Sequence, residues 1–585
     1  MKQKYILITL LLFGSIIPFA HAQNSTYQLN TTKINQVLRS INDLYVDTVD
    51  FNKLTENAIV EMLKELDPHS AYLSAKESQQ ASEPLQGSFD GIGVTFQLIK
   101  DTINVMEVLI GGPSEKVGLM PGDKIIKVDT LVSTGKAINN AWVLNHLRGV
   151  KGSKVIILVK RGRNPEPIEF TITRGKIPMN SINVYFMADD KTGYIRLERF
   201  AATSQTEFDS AITKLKALGM KNLIFDLRGN GGGYLNVAFA IADEFIINGQ
   251  MIVYTDNFRK TGETYKATKF GNFEEGKLIL LVDEGSASAS EIVSGAIQDW
   301  DRGLIMGRRT FGKGLVQKPL ILTDKSELRL TISHYYTPTG RCIQKPYDDG
   351  IDSYQQELTE RYKHGEYLTP DSISFPDSLK YYTPNKRVVY GGGGIMPDIF
   401  IPMDTTKYSS LFNELFRKGV FGAFTLDYMD SHRTELLTKY PTISDFKNNF
   451  QISDEMYNQL MDYAKKEGVN DSVPFNFTFR IGYFIKDEKK KLDSLYSNIE
   501  DLENSKEFDE MLIKYMKDSY SESLKLRNLD KAPIYIKEYL KFEIARNLFS
   551  FGEAYQIFLL SDDAFLQAIQ LIQDDKTFKK FKVTH

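Results

Sequence analysis

The sequence predicts a multidomain α/β (α+β) protein with a helical N-terminal segment, a small β-rich module, an α/β core and an all-α C-terminal region. At 585 residues the chain is too long for a single hydrophobic core. Between residues 176 and 404, short apolar strands alternate with amphipathic helical segments, which is the pattern of α/β proteins. Beyond residue 405, apolar residues recur at helical spacing, so this region is predicted to be helical.

The composition is that of an ordinary globular protein. Hydrophobic residues make up 42% and charged residues 25%, and the formal net charge is −3. No basic excess indicates a nucleic-acid partner. Cys342 is the only cysteine, so an intramolecular disulfide is excluded. It follows a strand-like segment, and we interpret it as a packing or surface residue and not as a nucleophile.

The N-terminus has the pattern of a secretory signal peptide. Lys2 and Lys4 are followed by an apolar run over residues 5–19 and by the small-x-small end Ala20-His21-Ala22. Residues 1–22 are therefore predicted to be removed. The apolar run is shorter than the roughly 20 residues of a membrane span, although an uncleaved anchor is the alternative. We expect an exported, periplasmic protein of a bacterial envelope, either soluble or peripherally associated with the membrane.

The N-terminal helical region is predicted over residues 23–86. Apolar residues at helical spacing within residues 32–66 indicate two helices. Asp67-Pro68 ends the second, because proline disfavours a helical residue before it. Pro84 and Gly87 are predicted to mark the boundary with the next domain.

A β-rich module is predicted over residues 87–175, with a helix at about residues 137–147. Its predicted strands are Ile103–Ile110, Lys124–Val128 and Lys154–Val159. This order resembles a PDZ domain, with Gly91, Ile92, Gly93 and Val94 in place of the carboxylate-binding loop. In such a loop successive N–H groups bind the carboxylate, and the peptide adds as a strand. The alternative is a non-binding module in which these glycines only form turns.

The core is predicted over residues 176–404. We predict strands near residues 193–197, 223–227, 278–282 and 304–306, helices near 208–218, 237–245 and 289–299, and an antiparallel hairpin that pairs residues 328–332 with 315–322. The polar, Tyr-rich stretch 343–390 is interpreted as an insertion within this core. In the C-terminal region, 405–585, Ser453 is a predicted N-cap and Gly468 a predicted C-cap. Further helices are predicted over residues 490–525 and 532–580.

Two short motifs indicate the chemistry. Gly285-Ser-Ala-Ser-Ala-Ser-Glu291 follows an apolar strand and opens a helix, and Phe311-Gly-Lys-Gly-Leu-Val-Gln317 places a lysine in a Gly-rich turn. A serine hydroxyl is a weak nucleophile until a base takes its proton. None of the seven histidines lies in a recognisable serine-protease pattern. Lys313 is therefore the candidate base, and Gln317 could orient its amine without adding charge.

Such a base must be uncharged. A lysine pKa of about 10.4 would have to fall by about 3 units, which burial can achieve for lysine but not for arginine. A serine at the head of helix 289–299 would lie near free N–H groups, and those of Ala289 and of one residue in 231–233 are candidate oxyanion donors. The alternative is that the serines only cap the helix. Residue types alone do not choose among Ser286, Ser288 and Ser290.

The complete motif set resembles that of the C-terminal processing peptidases, also called tail-specific proteases. The matching segments are Asp67-Pro-His-Ser70, Asp226-Leu-Arg-Gly-Asn-Gly-Gly-Gly233, the serine and lysine motifs above, and Gly394-Ile-Met-Pro-Asp398. The resemblance covers about residues 35–403. It implies an α/β protease core with Ser288 as nucleophile, Lys313 as base and Gln317 as its orienting partner, and with Gly233 and Ala289 as the oxyanion hole. Neither a cofactor nor a metal is implied.

The resemblance implies protein or peptide substrates with free C-termini. The helical region 405–585 matches no motif of the family, and its surface is a candidate for self-association or for an adaptor protein. Nucleotide binding is the rival hypothesis for Gly307-Arg-Arg-Thr-Phe-Gly-Lys313, but Gly314 stands where a phosphate-binding loop needs Ser or Thr. A protease-like scaffold that only binds peptides is the second rival, and an intact Ser288, Lys313 and Gln317 set disfavours it. A metalloprotease is disfavoured because no His-Glu-x-x-His motif occurs.

Overall fold

The computed structural model describes residues 17–109, 111–162, 166–268, 271–404, 407, 409–469 and 532–583. The chain divides into two compact units. One consists of the described residues up to Leu73 together with Pro319–Leu330, and the other contains the rest of the described chain. The α/β fold class is confirmed, whereas the domain boundaries stay predictions.

The first unit is built on two helices, Ile17–Leu44 and Phe51–Lys64. Asp50 caps the second helix by accepting a hydrogen bond from the N–H of Lys53. The strand Ala71–Leu73 pairs antiparallel with residues 327–329. Both predicted N-terminal helices are thus confirmed, and the second ends before Asp67-Pro68 as expected.

The predicted β-rich module contains a six-stranded sheet in the second unit. Its strands are Val94–Ile99, Thr102–Val108, Lys124–Val128, Leu131–Val132, Lys154–Lys160 and Ile168–Thr173. Val94–Ile99 lies at one edge. The module also contains the short helix Pro113–Lys116 and the helix Asn140–Leu147, which starts after the N-cap Asn139 and contributes Val143 and Leu147 to the module's core. A separate two-stranded sheet joins Ser88–Gly91 to Gly175–Pro178.

A helix that the sequence pattern did not reveal, Ala75–Gln86, leads into this module. Ser74 begins it with a capping box to Glu77, and Gly87 ends it at φ +73°. Gly87 thus ends a helix and Pro84 lies inside it, while the domain boundary predicted at these residues stays a prediction. Proline at this position removes one helical hydrogen bond, in the last turn.

The core contains a second six-stranded sheet. Its strands, in spatial order, are Val184–Met187, Thr192–Arg196, Asn222–Asp226, Leu278–Val282, Leu304–Gly307 and Ile399–Phe400. The first two pair antiparallel and the other neighbours are parallel. All five residues of Leu278–Val282 are buried, as expected for a central parallel strand.

Helices cover both faces of this sheet. One apolar cluster includes buried residues of the three helices Ser204–Ala217, Leu235–Asp243 and Ala289–Asp299. A different cluster joins the alternate residues of the same strands to helices from the end of the chain, Phe551–Phe558, Asp563–Gln573 and Asp575–Lys580. The C-terminal helices are therefore a structural layer of the core.

The range predicted as the core, residues 176–404, contains further small elements. They are the strands Met251–Asp256, Thr264–Lys266, Leu315–Ile321 and Glu327–Tyr336, of which the last two form the predicted hairpin. The stretch predicted as an insertion contains the helix Ile351–Lys363, the 3₁₀ turns Pro370–Ser372 and Asp377–Leu379, and the strands Lys380–Tyr382 and Val388–Tyr390.

The remaining C-terminal helices are Ser410–Arg417, Val420–Lys439, Ile443–Asn449, Asp454–Lys466 and Ala532–Leu548, with the 3₁₀ turn Leu559–Ser561. Ser453 is confirmed as an N-cap. Gly468, which has φ +71°, follows the C-cap residue Glu467. The predicted helix over residues 490–525 lies outside the described residues. Among the helices of the described ranges, none is long and apolar enough to cross a bilayer.

Candidate active site

The candidate site lies at the carboxyl ends of three parallel strands, Asn222–Asp226, Leu278–Val282 and Leu304–Gly307. The Gly-rich motif follows the first, the serine motif the second and the lysine motif the third. Loops at this edge of an open α/β sheet are the usual location of a binding site. The parallel pairing thus places the three predicted motifs on one edge.

Ser288 differs from its two neighbouring serines in burial and in backbone conformation. It is the N-cap of helix Ala289–Asp299, is only partly buried, and has φ +55° and ψ −111°. A non-glycine residue with positive φ is uncommon and is often associated with functional sites. Ser286 and Ser290 are fully buried, and their hydroxyls donate to the carbonyls of Leu227 and Asn230, both at 2.8 Å. Their hydroxyls are thus engaged in structure, which favours Ser288 as the reactive serine.

The Gly-rich loop lies directly against the start of the serine helix. A Cβ atom added to Gly232 would lie 2.9 Å from Ser288 Cβ and 3.0 Å from the nitrogen of Ala289. A Cβ on Gly233, which has φ +153°, would lie 2.2 Å from the carbonyl oxygen of Phe200. Only glycine allows this approach. The backbone of Gly232 and the N–H of Ala289 are therefore neighbours in space, and Gly233 is the next residue of the loop.

Asn230 links the Gly-rich loop to the serine segment by hydrogen bonds. Its carbonyl accepts the N–H of Ala287 at 3.0 Å in addition to the Ser290 hydroxyl. Its side chain donates to the carbonyl of Leu197 and accepts the N–H of Gly232, both at 2.9 Å. The asparagine holds both sides of the candidate oxyanion site in register.

Lys313 and Gln317 contact each other as expected. Lys313 Nζ donates to Gln317 Oε1 at 2.8 Å, and both side chains are partly buried. The backbone of Lys313 is also linked to that of Ser288. The hydroxyl of the buried Tyr335 lies 2.7 Å from the carbonyl oxygen of Lys313 and 3.2 Å from that of Ser288.

Glu291 makes a second link between these two segments. Its Oε2 accepts the N–H groups of Ser288 at 2.8 Å and Lys313 at 2.9 Å. Its Oε1 accepts the N–H of Gly312 at 2.7 Å and the hydroxyl of Thr310 at 2.5 Å. Burial raises the pKa of this carboxyl, and the donors from Thr310 and the backbone oppose that shift. One carboxylate thereby holds the serine turn and the lysine loop together.

A buried ion-pair cluster supports the base of the Gly-rich loop. Burial alone would raise the pKa of Asp226, but the guanidinium groups of Arg228 and Arg196 lower it overall. Arg228 Nη2 lies 2.7 Å from Asp226 Oδ2, and Arg228 Nη1 lies 2.9 Å from Asp562 Oδ1. Tyr194 donates to the same oxygen of Asp226 at 2.6 Å. A residue of the C-terminal helices thus contributes to the loop that precedes the candidate oxyanion site.

The four loop residues predicted to bind a carboxylate belong to the β module and not to these strand-end loops. Gly91 ends one strand, Gly93 has φ +79°, and Val94 begins the edge strand. Ser114 ties the loop to the module, since its N–H and hydroxyl donate to the carbonyl of Ile92 at 3.0 and 2.7 Å. The strand Val94–Ile99 that follows lies at the edge of its sheet.

No group of three or more His, Cys, Asp or Glu side chains in the described parts of the chain could hold a metal ion. The arrangement offers a hydroxyl, an amine and main-chain N–H groups at one edge of a sheet. Such a set suits nucleophilic attack on a carbonyl with stabilisation of an oxyanion.

Three family models match the chain. One described as peptidase family S41 matches residues 191–353, one described as the N-terminal domain of the activating protease CtpB matches residues 17–77, and one for a family of unknown function matches residues 411–480. A carboxy-terminal-processing protease from Bartonella bacilliformis is 32% identical over 403 residues, which are 67% of this chain and 90% of that protein. The chain belongs to the carboxy-terminal-processing protease family. It is a serine-type peptidase.

Parts of the chain are similar to solved structures. A photosystem II D1 C-terminal processing protease is 24% identical and covers 63% of this chain and 86% of its own, with a TM-score of 0.34. The PDZ domain of a carboxy-terminal protease from Vibrio cholerae, solved in complex with a peptide, is 33% identical and covers 15% of this chain and 97% of that domain, with a TM-score of 0.15.

Sequence reasoning assigned no role to Glu291, Tyr335 or Asn230 of the protease. For Glu291 a signal existed, because Ser288-x-x-Glu291 has the spacing of a capping box. Tyr335 lies 47 residues from Ser288, and its position gave no local signal. Asn230 lies within the Gly-rich motif, whose pattern gives no separate signal for this residue.

Proposed function

We propose that this protease is an exported serine endopeptidase that cleaves proteins after its PDZ module has bound their C-terminal tails. Ser288 is the nucleophile, Lys313 the general base and Gln317 the residue that orients the amine. The observation that carries this proposal is the junction at Glu291 and Tyr335, which joins the backbones of Ser288 and Lys313. The family's serine-type peptidase activity supports the same assignment.

The proposed reaction proceeds through an acyl-enzyme. The neutral amine of Lys313 takes the proton of Ser288 Oγ as that oxygen attacks the scissile carbonyl carbon. The N–H groups of Gly233 and Ala289 stabilise the oxyanion of the tetrahedral intermediate. When the C–N bond breaks, Lys313 returns its proton to the leaving amine. Water then attacks the ester, again with Lys313 as base, and releases Ser288.

Substrate recognition is assigned to residues 91–94 and to the edge strand Val94–Ile99. The main-chain N–H groups of the loop would bind the terminal carboxylate, and the residues before it would pair with the strand. Helix Asn140–Leu147 would form the other wall of the groove. Partners are therefore proteins or peptides with a free C-terminus.

Export is proposed from the signal-peptide pattern of residues 1–22, with a periplasmic location for the mature protein. Sequencing the N-terminus of the protein recovered from the cell envelope would test this proposal. We expect it to begin at Gln23. A mature chain that begins at Met1 would contradict export by cleavage.

The decisive experiment is cleavage of a peptide with a free C-terminus by Ser288→Ala and Lys313→Arg variants. Ser288→Ala should lower kcat at least about 10³-fold, because the nucleophile is lost. Lys313→Arg should be nearly as damaging although it keeps the charge, because arginine does not give up its proton. Ser286→Ala is the control, since that buried hydroxyl is engaged with the carbonyl of Leu227 and the N–H of Asp283. A Ser288→Ala variant that still turns over would refute the assignment.

A further inference from the structure

The insertion 343–390 contacts the loop that carries Lys313. Its helix Ile351–Lys363 brings Arg361 to the backbone of that loop. Arg361 is 3% exposed, and it donates from Nη1 to the carbonyl of Thr310 at 2.8 Å and from Nη2 to that of Phe311 at 3.2 Å. The planar fork of a guanidinium can bind two successive carbonyls in this way. The second of these carbonyls lies two residues before Lys313.

Glu357 orients Arg361 from one turn earlier on the same helix. Its Oε1 accepts the Nε–H of Arg361 at 2.5 Å, and its Oε2 lies 3.0 Å from Lys345 Nζ. Lys345 is 2% exposed, and its ammonium lies 4.2 Å from the ring centre of Phe311 and 4.0 Å from that of Tyr354. Such cation–π contacts strengthen when they are desolvated. The ring of Phe311 is thus held by the insertion as well.

The insertion also contacts the loop on either side of these residues. Arg309 forms a two-pronged ion pair with Glu366, with distances of 2.6 and 2.7 Å. After Lys313, the N–H of Gly314 donates to Gln344 Oε1 at 2.8 Å. The insertion therefore binds the loop before and after the lysine, while Glu291 binds the two positions between.

We propose that the insertion positions the Lys313 loop for catalysis and that Arg361 is the positioning residue. This inference rests on the proposed role of Lys313 as the base. Arg361 acts through the backbone of Thr310 and Phe311 and does not touch substrate. Without it, the loop keeps its links to Glu291, Glu366 and Gln344 but loses the hydrogen bonds to the carbonyls of Thr310 and Phe311, so Lys313 is placed less accurately relative to Ser288.

The test is Arg361→Lys in the full-length protein, because lysine keeps the charge but cannot bind both carbonyls. We expect kcat to fall about 10-fold to 100-fold with little change in KM, as for a small misplacement of a catalytic group. Hydrogen exchange should accelerate in residues 309–317. Arg302→Lys is the matched control, because Arg302 is also buried and binds the carbonyls of Phe245, Phe273 and Gly276.

The control separates positioning from general stability. Both variants should lower the melting temperature, but only Arg361→Lys should lower kcat. The inference is overturned if Arg361→Lys keeps kcat within twofold, or if Arg302→Lys loses as much activity. If Arg361→Lys does not fold, Glu357→Gln is the second variant, because it removes the carboxylate that orients Arg361. It should reproduce both the loss of kcat and the faster exchange.

The exchange measurement also separates this inference from the proposed function. A wild-type protein that cleaves no peptide, or a Ser288→Ala variant that remains active, refutes the proposed function. The exchange rates of residues 309–317 still show whether Arg361 holds the loop. An active wild-type protein with unchanged exchange at residues 309–317 in Arg361→Lys refutes the positioning role alone.

Discussion

At the scale of single residues, the site depends on one buried carboxylate. Glu291 accepts four hydrogen bonds, two from the lysine loop backbone, one from the hydroxyl of Thr310 and one from the N–H of Ser288. Hydrogen bonds to a charged acceptor are shorter and stronger than neutral ones. Through these bonds Glu291 links the backbones of Ser288 and Lys313, which are 25 positions apart in the sequence and both partly buried.

Replacing Glu291 with glutamine should test this link. The amide keeps one acceptor oxygen but turns its NH₂ group toward two donors, so two of the four bonds are lost. We expect kcat to fall about 100-fold because the proposed nucleophile, Ser288, and the proposed base, Lys313, are no longer held in one geometry. The measurement is steady-state peptide cleavage.

Glu284→Gln provides the control for this variant. Glu284 lies at the same edge of the sheet and pairs with Arg308 at 2.7 Å, so its loss removes a nearby carboxylate without touching the lysine loop. Equal activity of the two variants would contradict the special role of Glu291.

At the scale of elements, the C-terminal helices form part of the protease core. Phe565 on helix Asp563–Gln573 packs against Phe186 and Tyr194 of the sheet, with ring centres 6.2 and 5.3 Å apart. Asp562, the N-cap of the same helix, pairs with Arg228. The helix thus covers an apolar face and also supports the Gly-rich loop.

Phe565→Ala should lower the free energy of unfolding by about 3–5 kcal/mol, because it leaves a cavity against the sheet. Urea unfolding followed by a signal of the core measures this change. Leu566→Ala, the next residue on the same helix, is the control, since Leu566 is 38% exposed and its loss should cost much less. Similar losses for both variants would show that this helix does not pack on the sheet as described.

At the scale of the whole molecule, the proposed function places tail recognition and peptide cleavage in separate modules of one compact unit. The β module also contacts the C-terminal helices, since Lys100 Nζ lies 2.9 Å from Glu467 Oε1. If the β module binds the substrate's tail, the rate of cleavage should depend on the terminal carboxylate, although this group is not part of the bond that is cleaved.

Amidation of the C-terminus of a peptide substrate should therefore raise KM about 10-fold or more, because the loop N–H groups lose a charged acceptor. Inhibition of cleavage by a short non-cleavable peptide with a free C-terminus would confirm that this peptide and the substrate's tail bind at the same place. Amidated and free peptides cleaved with equal kcat/KM would exclude carboxylate recognition by residues 91–94.

Much of the fold was predictable from local patterns. The strand Leu278–Val282 and the helix over residues 289–299 agree with the structure to the residue, because an unbroken apolar run and a serine cap are strong local signals. Helix Ala75–Gln86 was missed because its sequence is polar and contains a proline. Its start depends on a capping box at Ser74, which the periodicity of apolar residues does not reveal.

The sequence by itself determined the α/β class, the order of the elements, and the serine and lysine motifs that resemble one family. Only the tertiary structure decided what those motifs contact. The different burial of Ser286, Ser288 and Ser290, the carboxylate of Glu291 on two backbones, and the pairing of Arg228 with Asp562, 334 residues away, follow from packing between distant segments. Local propensity reports what one stretch of chain prefers, whereas these contacts depend on which stretches the sheet brings to the same edge.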